Sequence, residues 1–119
     1  MSLDTKYMTA MSNVRLDELI DRYMTAMSKD FDKHGYKNIK KAWMAEQGRK
    51  YTKIVSGYVC EDGGIAQRSV VAFIDKSTGD VFKPANWSSP AKGVRYNLYQ
   101  DIDQLEKTCD YSGGHLYNR

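Results

Sequence analysis

The chain reads as an α+β protein, an antiparallel sheet of three to five strands with N-terminal helices packed on it. Three observations predict this. Leu16, Leu19, Ile20, Tyr23, Met27 and Phe31 recur at helical spacing on one face. From Tyr51 to Cys60 and again from Arg68 to Asp75 the residues turn β-branched and aromatic. Between Asp75 and Asp80, Lys76-Ser77-Thr78-Gly79 has hairpin-loop chemistry, with glycine where a positive φ is needed.

Residues 1–12 are expected to form a flexible N-terminus, and 13–119 a single domain, helical over 13–47 and sheet plus binding loop over 49–119. Tyr7-Met8-Thr9-Ala10-Met11-Ser12 recurs as Tyr23-Met24-Thr25-Ala26-Met27-Ser28, but two copies do not make a repeat architecture. The first helix should run from about 13 to 34. Ser12 or Asn13 caps it, Asp17 and Glu18 complement its dipole, Glu18 and Arg22 pair along it, and Gly35 stops it. At ~1.5 Å per residue it is about 30 Å long, enough to cover its own sheet or to meet a second subunit. A second helix is predicted over Asn38–Gln47, with Ile39, Ala42 and Trp43 as its buried stripe and Gly48 as its end.

Tyr51–Cys60, Arg68–Asp75 and Asp80–Lys83 then form a meander, turned at Glu61-Asp62-Gly63-Gly64 and at Gly79 and ended by Pro84. Arg68–Asp75 is the least polar run and reads as the central strand. Ile102–Lys107 suits one or two helical turns. After Ser112-Gly113-Gly114, His115–Arg119 reads as a short final strand that sets Arg119 near a sheet edge.

A chain of 119 residues, 41% apolar and 28% charged, has the profile of one ordinary globular domain. No run reaches the ~18 apolar residues of a membrane span, and no signal-peptide pattern opens the chain, so the expectation is cytoplasmic, without a membrane partner. Cys60 and Cys109 are far apart and match no metal or redox spacing, so two free thiols are expected. Two histidines are too few for a histidine-based metal site; His34 should be an exposed residue at a helix end and His115 should lie in a strand. No metal and no cofactor is implied.

The net charge of +3 is unevenly spread: residues 37–99 hold eleven Lys/Arg against five Asp/Glu, whereas both flanks are slightly acidic. This favours an anionic ligand held at the middle of the chain. No nucleophile elbow, phosphate-cradling glycine loop or metal cluster is present, and Asp101 and Asp103 sit in a polar segment. A binding protein is therefore expected, not an enzyme.

The stretch from Lys83 to Tyr99 concentrates the binding chemistry. It holds both prolines, Trp87, and the cations Lys83, Lys92 and Arg95, with Arg68 on the neighbouring strand. Prolines stiffen the loop. Arginine offers a bidentate fork to phosphates, and Phe82, Trp87 and Tyr96 offer faces for ring stacking. Asn86 and Asn97 can read a base edge or a ribose hydroxyl, and Ser88 and Ser89 add donors. The competing reading is a structural loop with Trp87 as an apolar plug and Asn97 as a cap or turn residue.

At these residues a family resemblance enters. The run from Val71 to Leu98, with Asp75-Lys76-Ser77-Thr78-Gly79-Asp80 followed by Lys83-Pro84-Ala85-Asn86-Trp87-Ser88-Ser89-Pro90-Ala91-Lys92 and Arg95-Tyr96-Asn97, resembles the first family of Thoeris anti-defence proteins of phages. Gly48-Arg49-Lys50-Tyr51-Thr52-Lys53-Ile54-Val55 and Gly113–Arg119 are similar to the same set; the N-terminal helices are not part of the match. Members are sponges that bind and sequester cyclic ADP-ribose isomers made by bacterial TIR proteins, without cleaving them. Some also bind cyclic oligonucleotides at separate sites and assemble from dimers into hexamers. The resemblance implies a non-catalytic binder of a cyclic nucleotide immune signal, homo-oligomeric, in the cytoplasm of an infected bacterium. It implies Phe82 and Trp87 near an adenine or the pocket wall, Lys92 and Arg95 facing phosphates, Asn97 on a polar ligand edge or the loop itself, and Arg119 as a further contact. Tyr96 stands where that family has a small residue or glycine. The alternative is a single-stranded nucleic-acid binding module using the same basic, aromatic surface, which the modest charge disfavours.

Overall fold

A computed structural model describes the backbone of residues 4–117 and the side chains of 15–117. The fold is α+β. Helix α1 (Asp4–Lys33) is followed by β1 (Lys41–Gln47), β2 (Tyr51–Val59), β3 (Ile65–Asp75), β4 (Asp80–Phe82) and β5 (Tyr96–Asn97), then helix α2 (Leu98–Thr108) and a 3-10 turn at Gly114–Tyr117. The five strands form one antiparallel sheet in sequential order, β1 to β5.

The helical stripe holds as predicted: Leu16, Leu19, Ile20, Tyr23, Met27 and Phe31 are all buried. All but Phe31 join Ile54, Ala72, Ile74 and Val81 of the sheet and Leu98, Ile102 and Leu105 of α2 in one apolar cluster. The core thus lies on one sheet face, beneath both helices, and burying these side chains is the main stabilising term. Gly79 has φ +80°, as the hairpin loop requires, and its missing Cβ makes room for the Tyr99 ring, which would lie 2.7 Å away.

Four expectations are corrected. Asn38–Gln47 is not a helix: Lys41–Gln47 is a strand that pairs with β2 at seven consecutive positions. A ten-residue helix is marginal on its own, and Asn38 already lies at φ 64°, outside helical geometry. Covering the β2 edge outweighs the helix propensity of Ala42, Met44 and Glu46. Residues 4–12 continue α1 instead of forming a separate loose segment. His115 lies in the 3-10 turn, not in a strand: the Asp110 carboxylate accepts the Ser112 and Gly114 N–H groups (3.0 and 2.8 Å) and curls the chain there. Arg22 pairs with Glu106 and Asp103 of α2 (2.7 and 3.2 Å), not with Glu18.

Cys60 is exposed, Cys109 buried, and neither is bridged. Among the described residues no helix is long and apolar enough to cross a membrane.

Candidate ligand-binding face

Strand alternation leaves the second face of the sheet away from the helices. Because Ile54, Ile74 and Val81 point into the core, their neighbours Lys53, Phe73 and Phe82 point the other way. Register joins these into a cross-strand row: Glu46 opposite Lys53, Lys53 opposite Phe73, Phe73 opposite Phe82. Tyr51 sets its ring edge-on to Phe73 (5.9 Å) and Phe82 (6.0 Å). Phe73 is buried on this side although no helix covers it.

The loop after β4 folds back over this row. Pro84 bridges to Pro90, Ala85 donates to the Ser89 carbonyl (2.9 Å) and Ala91 to that of Lys83 (2.8 Å). The Asn86 side-chain oxygen accepts the N–H groups of Ser88 (2.8 Å) and Ser89 (3.0 Å) and the Ser89 hydroxyl (3.1 Å), a local turn closed by its own side chain. Trp87 sits at the tip. Lys53 Nζ lies 4.3 Å from its ring centroid and Arg68 Cζ 5.5 Å, while 42% of Trp87 stays exposed. Two cations on one indole hold the loop to the sheet and leave indole surface open.

Arg68 reaches this position through irregular backbone. The β2–β3 register shifts between Ile54 and Val55 and again between Ser56 and Tyr58. Gln67, next to Arg68, has φ 53°. Bulges of this kind re-aim a side chain. Arg68 also pairs with Glu46 from β1.

Beside Trp87 lies an open depression of about 320 Å³, lined by Glu46–Tyr51, Lys53, Phe73 and Ser88. It brings Arg49, Lys50 and Lys53 against one carboxylate, with aromatic walls, dimensions that suit a mononucleotide-sized ligand. Two larger depressions, of about 490 and 450 Å³, flank α1. In the first, Arg22 is already held by Glu106. The second is lined by Met24, Trp43 and polar residues with Lys41, whose ammonium lies over the Trp43, Tyr58 and Tyr111 rings.

Of the residues singled out from sequence, the structure sets Arg68 over the Trp87 ring and Ser88 in the lining of the depression, while Phe82 shares the face and stands edge-on to Tyr51. The others fall elsewhere. Lys83 Nζ lies over the Tyr117 ring (4.9 Å), not at the depression. Lys92 is exposed and Arg95 half-buried, and neither lines the depression beside Trp87, so the expected phosphate pair is not assembled there. Asn86 closes the loop. Asn97 caps α2, accepting from Tyr99 N (2.9 Å) and Gln100 N (3.1 Å), and donates to Thr78 O and Asp80 Oδ1 (2.9 Å each), which leaves no amide atom for a ligand. Arg119 lies outside the described residues. Sequence reasoning gave no role to Tyr51, Lys53, Arg49 or Lys50. The signal was present in the alternation of Tyr51 and Lys53 along β2, which puts both on one face.

His115 and Cys109 are buried on the helix side. Asp110 N–H donates to His115 Nδ1 (3.2 Å), so the neutral ring carries its proton on Nε2 and donates it to the Tyr23 hydroxyl (2.7 Å). Burial lowers the His115 pKa, against the raising effect of Asp110 and Asp30. Burial likewise pushes the Cys109 thiol up to about 11, which makes it unreactive.

Residues 3–118 match the model of a family of unknown function, DUF7717. No curated protein and no solved structure matches the chain.

Proposed function

The chain belongs to this family of unknown function, and we propose that it is a non-catalytic binder of a small, anionic, ring-bearing ligand of the nucleotide class. The ligand is held on the sheet face opposite the helices. The observation that carries the reading is the half-exposed Trp87 indole, with Lys53 and Arg68 over its ring, at the rim of a depression lined by two further cations. A base stacks on the indole or on Tyr51, and phosphates take Lys53, Arg68, Arg49 and Lys50. The finer form of the proposal is a phage sponge that sequesters a cyclic ADP-ribose isomer, as the resemblance of the Val71–Leu98 run implies.

The test is titration of the purified protein with cyclic ADP-ribose and with ADP, followed by denaturation and chromatography of the released ligand. The expected result is saturable uptake of at least one of the two, recovered unchanged. Conversion of the ligand to a product, or uptake of neither, would overturn the proposal. A native mass spectrum of the same mixture reads the assembly, for which a dimer or hexamer is expected. A nucleic-acid module would instead bind oligonucleotides with affinity rising with their length.

A further inference from the structure

Glu46 is the one carboxylate that lines the depression beside Trp87. In the β ladder it lies opposite Lys53, yet its ion pair is with Arg68. Lys53 has no carboxylate partner among the described residues; its ammonium stays on the Trp87 ring. Both members of the Glu46–Arg68 pair are 40% exposed, so the pair is wet and weak. The guanidinium fork that suits a phosphate therefore already holds an oxyanion belonging to the chain itself.

We infer that Glu46 is an internal competitor, a carboxylate that stands in for the ligand's phosphate on Arg68 and sets the affinity of the face for anions. The inference rests on the nucleotide-binding reading. An entering phosphate displaces Glu46 from Arg68, and Glu46 then repels it across the depression. The empty face is left without an uncompensated arginine, and weakly held anions are rejected. A ring-bearing ligand without phosphate meets no such competition.

The test is a double-mutant cycle read by titration with two probes, ADP and adenosine. Glu46→Gln is expected to tighten ADP binding about three- to fivefold, the scale of a half-exposed ion pair, and to leave adenosine unchanged. In an Arg68→Ala background the same substitution is expected to change ADP binding much less. If Glu46 only positions Arg68 over Trp87, Glu46→Gln weakens ADP binding, which overturns the inference and leaves the binding reading intact. An equal gain with and without Arg68 overturns it as well, since Glu46 would then act as a general surface charge. ADP binding by neither parent nor variant overturns the inference, and the binding reading falls with it only where cyclic ADP-ribose is not taken up either.

Discussion

Asn97 has every polar atom of its side chain bonded within the fold: its oxygen caps α2, and its amide ties that cap to Thr78 and Asp80 of the preceding hairpin. Its substitution is expected to act on stability alone. Asn97→Ala should cost about 1–2 kcal/mol in urea denaturation, the size of a lost N-cap, with ligand affinity unchanged below the transition. His115 gives a pH dependence. Burial, its largest influence, lowers its folded pKa below the ordinary 6.5, so below that value the unfolded chain takes up a proton that the folded chain refuses. Stability should therefore be level above about pH 6.5 and fall as the pH drops toward 5. This lies above the window of Asp75 and Asp110. Burial alone would raise both, but Ser77 and Ser112 bonds outweigh it and leave them lowered. Replacing His115 by Gln, whose amide can still donate to Tyr23, should flatten the upper step. An unchanged pH profile would show that His115 does not cause it.

Among the elements, the β2–β3 hairpin does most to shape the candidate face. Gly57 sits at its second register shift, and a Cβ there would lie 2.4 Å from Ile65 Cγ2, 3.0 Å from Ala66 O and 3.4 Å from Arg68 Cγ. Gly57→Ala should cost about 1–3 kcal/mol by overpacking and should also displace Arg68 from Trp87. Both effects can be checked together, by denaturation and by ADP titration. Elements also mark where sequence pattern was informative. The stripe from Leu16 to Phe31 was legible because six apolar residues at one period leave few alternatives. The meander was legible because Gly79 and the β-branched runs agree. Lys41–Gln47 was not, because Ala42, Met44 and Glu46 favour a helix locally and only the long-range ladder with β2 makes the segment a strand.

At the scale of the whole molecule, one sheet face is buried under two helices and the other is left for a short, self-closed loop to cover. The loop was recognisable from its prolines, Trp87 and its cations. Which cations meet the indole was not, because that depends on the register that carries Lys53 and on the bulges that carry Arg68. Sequence proximity pointed to Lys83, Lys92 and Arg95, but a tight loop sends successive side chains in different directions, and it is Trp87 that meets the sheet cations Lys53 and Arg68. Two sets of cations thus exist on one small protein, and they make opposite predictions. The account is tested most directly by comparing ADP affinity in Lys53→Ala and Lys92→Ala, each shown to fold by its denaturation midpoint. Loss of about tenfold or more in Lys53→Ala, with Lys92→Ala close to the parent, is the result expected of a charge-assisted contact on the sheet face. The reverse order would place the ligand on the outer turn of the loop and contradict the site described here.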